Sequence, residues 1–254
     1  MYPVIFNIDF WGLNFPIYSY SICIVLGTFL AAKYSKYYAK KTLDINLENN
    51  FYYLIFLGGF IGGKLLFWLE NPGFYIQNPR MLLDISEGGF VFYGSLIFGV
   101  LVAIYYLKFY RLPIYQVLDI MVLAILIAHS FGRLGCFFGG CCYGIHTSSI
   151  FGLDFEASGI HNVFPIQLFE AISLGIIFIF LHNYSKKYSG EKIIIYLLSY
   201  GILRFSLEFF RADVRGFIIP NYLSHAQFIS LISIVGTFII YLKIKNKSIS
   251  KHNS

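Results

Sequence analysis

Charge is what this chain has little of. Of 254 residues, nineteen are Lys or Arg and thirteen are Asp or Glu, so 13% are charged, against about 25% in a typical soluble domain. That scarcity excludes a soluble enzyme and a disordered scaffold. Cysteine is also scarce: four in the whole chain are too few for a disulfide-stapled secreted module. No basic face interleaved with aromatics exists, so the net charge of +6 does not point to nucleic acid. No charged n-region precedes Asp9, so the first apolar block is expected to stay as a membrane span instead of being cleaved. No fixed-period repeat is present.

What fills the chain instead is apolar sequence, 57% of residues, with 20% aromatic. A span needs about 20 apolar residues to cross the hydrocarbon core. Seven blocks qualify: 16–32, 51–69, 90–107, 114–131, 165–182, 193–210 and 224–242. Backbone in lipid must satisfy its own hydrogen bonds, so each block is expected to be a helix. The expected fold is all-α, a single integral membrane domain over 1–254 with a flexible Lys/Ser tail at 243–254.

Orientation follows from basic residues. Lys33, Lys36, Lys40, Lys41, Lys108, Arg111, Lys186, Lys187, Lys192, Lys243, Lys245, Lys247 and Lys251 fall on one side of the seven-span arrangement. The loops opposite hold Arg80, Arg133, Arg211 and Arg215. The positive-inside rule then puts the N-terminus outside and the C-terminus in the cytoplasm. Lys64, Asp119, Glu170, Arg204 and Glu208 fall in or near spans. Intramembrane charges face the protein interior or a wet cavity, unless they snorkel, as Lys64 is placed to do. Gly58, Gly59, Gly62 and Gly63 form a small-residue face suited to close helix packing.

Four segments carry the candidate chemistry. Residues 129–144 read HSFGRLGCFFGGCCYG. Arg133 there has a permanent charge and a forked donor set matched to phosphate. The bland alternative is a glycine-rich re-entrant turn with Arg133 on a helix C-terminus. Cys136, Cys141 and Cys142 cluster in the same stretch, and metal binding, a disulfide on an oxidising face, or plain packing are all open. Packing is the commonest role of such cysteines, and no metal or cofactor is expected. Residues 200–213 read YGILRFSLEFFRAD, where Arg204 and Glu208 share a helix face and Arg211 follows. Residues 164–171, FPIQLFEA, put Gln167 and Glu170 on one face. Residues 88–99, GGFVFYGSLIFG, lead Tyr93 into a span. Several arginines near the outer membrane face suggest an anionic lipid headgroup as ligand.

In this order, the segments resemble the phosphatidylglycerol:prolipoprotein diacylglyceryl transferase family. YSYSIC resembles its aromatic-Tyr-Gly segment, with Tyr20 in the Tyr place. GGFVFYGSLIFG resembles Gly-Gly-x-x-Phe-His-Gly-Gly, and GRLGCFFGGCCYG resembles Gly-Arg-x-Gly-Asn-Phe-x-Asn-Gly-Glu-x-x-Gly. PIQLFEA, YGILRFSLEFFR and SHAQFIS resemble Pro-x-Gln-Leu-Tyr-Glu, Tyr-Gly-x-x-Arg-Phe-x-x-Glu-x-x-Arg and the Ser-Met-Gly-Gln segment. The departures are Tyr93 for the family's His, Cys136 for its hallmark Asn and Cys141 for its hallmark Glu.

The resemblance implies transfer of a diacylglyceryl group from phosphatidylglycerol to the lipobox cysteine of a prolipoprotein, releasing glycerol phosphate at a bacterial cytoplasmic membrane. It implies catalytic roles for Arg133, Arg204, Glu208 and Tyr93. It implies substrate contacts for Tyr20, Gly135, Cys136, Cys141, Gly144, Gln167, Glu170 and Arg211. The arginines would stabilise the departing phosphate or lower the pKa of the substrate thiol, and Glu208 would orient Arg204. A related membrane enzyme with another acceptor or lipid, and a non-catalytic anionic-lipid-binding protein or transporter, are the alternatives.

Overall fold

A computed structural model describes residues 3–10, 13–70, 72–83, 91–155, 159–212, 217–219 and 223–250. The Gly88–Gly89–Phe90 lead-in to the third predicted span, Asp213, Arg215 and the last four residues of the expected tail lie outside the described residues. Helices dominate, and the chain divides into two compact units, 1–35 with 118–254 and 36–117.

The first unit opens with an antiparallel hairpin, β1 (Val4–Phe10) and β2 (Leu13–Tyr18). Helix α1 (Ser19–Leu43) follows. The sequence places this span at about Pro16–Ala32; its start is corrected to Ser19, and the helix itself continues past Ala32. Pro16 pairs with Asn7 in the hairpin, a place a two-stranded sheet offers to proline. The Ser19 N–H then donates to the Pro3 carbonyl at 2.9 Å, tying the helix start to the hairpin. At its far end α1 continues through its lysines, with Lys40 paired to Asp44 at 2.6 Å.

In the unit 36–117, α2 (Asn49–Glu70), the short α3 (Pro72–Gln77) and α4 (Phe92–Phe109) are built around one close crossing. The predicted glycine face makes it. A Cβ on Gly58 would meet Val102 at 2.6 Å, and one on Gly62 would meet the Gly94 carbonyl and Phe98 at 2.5 Å. Lys64 is buried beside this face. The expectation that it snorkels outward is therefore corrected: its ammonium lies 6.0 Å from the Phe67 ring centre, over its face.

In the first unit, α5 (Ile114–Phe138) runs beyond its predicted end at Phe131 and carries Arg133 within the helix. The re-entrant-turn alternative is thus set aside. The helix passes through Gly132 and Gly135 and turns only at Gly139–Gly140. A small hairpin, β3 (Leu153–Phe155) and β4 (Ile160–Val163), leads to α6 (Ile166–Asn183) and α7 (Glu191–Glu208). A third hairpin, β5 (Phe217–Ile219) and β6 (Leu223–Ser224), precedes α8 (His225–Ser250). The all-α expectation omitted these three hairpins; strands β3 to β6, of two to four residues, are too short to show a period-two signal.

Asp119 of α5 explains one buried charge. Its carboxylate accepts the Gly190 N–H at 2.9 Å and the Lys192 N–H at 3.1 Å, and pairs with Lys186 at 2.9 Å. It therefore caps the N-terminus of α7 from a neighbouring helix, where the helix dipole favours an anion. Asp119→Ala is expected to lower stability by about 2 kcal/mol, read as a fall in melting temperature in detergent.

Helices occupy all seven predicted blocks. Five of them, α2, α4, α5, α6 and the 225–242 part of α8, are long and apolar enough to cross a membrane. Phe29, Phe56, Leu101, Ile172, Ile179 and Val235 are each more than half exposed, a surface that suits hydrocarbon and not water. Helices α1 and α7 are richer in charge. Lys33, Lys36, Lys40 and Lys41 load the second half of α1, and Glu191, Lys192, Arg204 and Glu208 lie among the eighteen residues of α7.

Candidate functional site

The predicted charged residues of the first unit gather around Glu170. This α6 carboxylate is wholly buried. Arg133 Nε of α5 lies 3.0 Å from its Oε2, and Nη1 of Arg211, three residues past the end of α7, lies 3.9 Å from the same oxygen. The Tyr200 hydroxyl donates to Oε1 at 3.2 Å, and His129 Nε2 is 3.8 Å away. His129 and Arg133 stand four apart on α5, hence on one face. The alternative of Arg133 on a helix C-terminus is replaced by this pairing across α5 and α6.

A second pair lies on α7. Arg204 Nη2 meets Glu208 Oε2 at 2.7 Å, as the four-residue spacing predicts. Glu208 is held in turn by the Ser224 hydroxyl, which donates to its Oε1 at 3.0 Å. Ser224 and Gln227 form a capping box at the start of α8. The Ser224 N–H donates to Gln227 Oε1 at 3.0 Å, and the Gln227 N–H donates to Ser224 Oγ at 3.1 Å. One serine therefore fixes both the helix start and the carboxylate. Arg204 Nη1 is buried and has no hydrogen-bond partner among the described residues.

His129 and Tyr200 feel both Arg133 and Arg204 electrostatically. Among the described residues, three buried or nearly buried arginines thus face two carboxylates, one positive charge more than negative. A buried charge without a counter-ion is costly, so the arrangement suits an incoming anion.

Gly144 ties this site together through backbone. Its N–H donates to the Phe164 carbonyl at 2.8 Å, and it bridges to Arg211. A Cβ here would sit 2.5 Å from the Phe210 carbonyl and 2.8 Å from that of Phe164. Gly144→Ala is expected to push these strands apart at a cost of about 1–3 kcal/mol. A thermal melt run beside a transfer assay checks this: Arg211, bridged to Gly144, would be displaced, so activity should fall along with stability.

Gln167, also fully buried, donates from Nε2 to the Cys141 carbonyl at 2.6 Å, and its Oε1 has no partner among the described residues. Gly135 lets α5 approach α1: a Cβ there would meet Tyr20 Cδ2 and Cys23 Cβ at 3.1 Å. Tyr20 is 45% exposed and lies in the electrostatic field of Arg133 and of all three clustered cysteines. The sulfurs of Cys136, Cys141 and Cys142 lie within 4.8 Å of one another.

Tyr93 belongs to the other compact unit. It lies in the first turn of α4, 44% exposed, with its ring edge-on to Phe92 at 6.0 Å. Sequence reasoning assigned no role to His129, Tyr200 or the Ser224–Gln227 pair. The Ser-x-x-Gln spacing before an apolar run was the signal for that pair.

Comparison with known proteins matches nearly the whole chain. The sequence family described as prolipoprotein diacylglyceryl transferase matches residues 3–243. The chain is 36% identical to the phosphatidylglycerol–prolipoprotein diacylglyceryl transferase of Clostridium tetani (strain Massachusetts / E88), over 94% of this chain and 96% of that protein. It is 32% identical to a second such transferase, from Clostridium perfringens (strain 13 / Type A), over 92% of each. It is also 32% identical to that of Rickettsia conorii (strain ATCC VR-613 / Malish 7), over 94% and 95%.

Proposed function

Because the chain belongs to the prolipoprotein diacylglyceryl transferase family, we propose that it moves the diacylglyceryl group of phosphatidylglycerol onto the lipobox cysteine thiol of prolipoproteins. The observation that carries this reading is the excess of arginine charge among the described residues, with a buried Arg204 Nη1 that finds no hydrogen-bond partner among them. The reaction is an SN2-like alkylation of sulfur. A thiolate attacks the diacylglyceryl carbon, the carbon–oxygen bond breaks, and glycerol phosphate leaves with the bonding pair. Two needs follow: a sulfur without its proton, and donors for the phosphate charge that develops.

Arg204 supplies the second need, aimed by Glu208 and, behind it, Ser224. Arg133, paired with Glu170, supplies further positive charge. Glu170 and Arg211 keep the two arginine groups in register, Gly144 and Gln167 hold the backbone loop of Cys141 in place, and Gly135 sets Tyr20 against it. For Tyr93 the role carried over from the resemblance is that of a hydrogen-bond donor or acid–base group. The setting is a single integral membrane domain of seven spans in a bacterial cytoplasmic membrane. The N-terminus is outside, the C-terminus is inside and the site opens to the outer face, in keeping with the distribution of lysines.

Expression in cells depleted of their own transferase tests this reading. Lipid modification of a reporter prolipoprotein should return. A reporter that stays unmodified, from protein correctly inserted in the membrane, would contradict it.

A further inference from the structure

The resemblance implies substrate contacts for Cys136 and Cys141 but nothing for the three thiols together, and the geometry of the cluster asks for an explanation. Helix α5 ends in a Schellman turn. The Gly140 N–H donates to the Phe137 carbonyl at 3.2 Å and the Cys141 N–H to the Cys136 carbonyl at 3.1 Å, with Gly140 left-handed at φ 69°. Such a turn stacks the side chain two past the cap on the one three before it, and an apolar pair usually fills those places. Here both are cysteines. The following Cys142 is also left-handed, at φ 63°, a conformation that a side chain adopts at some cost. Its sulfur comes to 3.6 Å from that of Cys141. Simple packing of an apolar pair accounts for the first two thiols and leaves the third unexplained.

We propose that Cys136, Cys141 and Cys142 form a three-thiolate site for a thiophilic d10 cation, Zn(II) above all, whose open fourth position takes the lipobox thiol. A d10 cation with bonds of about 2.3 Å holds thiolates about 3.8–4.0 Å apart, and here Cys141 and Cys142 stand 3.6 Å apart with all three sulfurs within 4.8 Å of one another. Zn(II) with three thiolates carries one net negative charge, and Arg133 lies in the field of Cys136 and Cys141. Three protein ligands and one open position is the pattern of a catalytic zinc site.

The fourth-ligand role rests on the transferase reading; the cation site does not. Binding the cation releases three thiol protons to solvent. Binding the substrate thiol releases a fourth and leaves a metal-held thiolate, which meets the reaction's first need. The sulfur–carbon bond then forms as the carbon–oxygen bond breaks, and the thioether product, a weaker ligand, departs.

The test uses the full chain, purified in detergent under reducing conditions. Titration with Zn(II) against a chromophoric chelator should give one ion per chain, and Cys142→Ser should weaken binding at least tenfold while melting normally in detergent without added metal. Wild-type protein that shows no stoichiometric binding, or a variant that binds as tightly, overturns the site. With Co(II) as a coloured probe, a lipobox peptide should shift the thiolate charge-transfer band and the same peptide with serine should not. An unshifted band overturns the fourth-ligand role. If chelated protein still transfers lipid at the full rate, that role falls and the transferase reading stands.

Discussion

Replacing Arg204 with glutamine is expected to cut diacylglyceryl transfer by at least about a hundredfold, the usual cost of losing one aimed donor to a developing oxyanion. The protein should still fold. Glu208 keeps its hydrogen bond from Ser224, the capping box of α8 is untouched, and the excess positive charge is reduced. Glu208→Gln should have a smaller effect, about tenfold, because it loosens the aim of Arg204 without removing the charge. Initial rates in proteoliposomes check the order of the two variants, and melting curves show that neither has unfolded. Equal losses in both would mean that the pair acts structurally and that neither member meets the phosphate.

The second large effect is on stability. Glu170→Ala should destabilise the protein by about 3–5 kcal/mol, because it leaves Arg133 and Arg211 buried without their shared counter-ion. Glu170 is also the acceptor for Tyr200, so a polar neighbour is stranded too. Combining Glu170→Ala with Arg133→Gln should recover part of the loss. A double-mutant cycle in detergent measures it, and additive losses would show that the two side chains are not coupled.

How much of this was legible beforehand depended on range. Arg204 and Glu208 were paired correctly from spacing, because four residues on one helix fix the geometry locally. Gln167 and Glu170 were placed on one face for the same reason. That Glu170 meets Arg133, Arg211 and Tyr200 was not legible, since those contacts join three helices distant in sequence. Lys64 was misjudged because burial against the Gly62–Gly94 crossing is a tertiary property. The start of α1 was misjudged because Pro16 reads equally well as a first helical residue or a strand residue, and only pairing with β1 decides. The glycine face of α2 was read correctly because small residues at successive helical turns have few other uses in a span. The cysteines were seen as a cluster, but the turn that stacks Cys141 on Cys136 depends on the left-handed Gly140.

The central claim, that this buried arginine site transfers a diacylglyceryl group to a cysteine thiol, is tested most directly by mass. Purified protein would be incubated with phosphatidylglycerol and a lipobox peptide, with Arg133→Gln and a serine-for-cysteine peptide as controls. The expected product is a peptide heavier by one diacylglyceryl group in thioether linkage, absent from both controls. An unmodified peptide from folded, membrane-inserted protein, or a product that persists with Arg133→Gln, would contradict it.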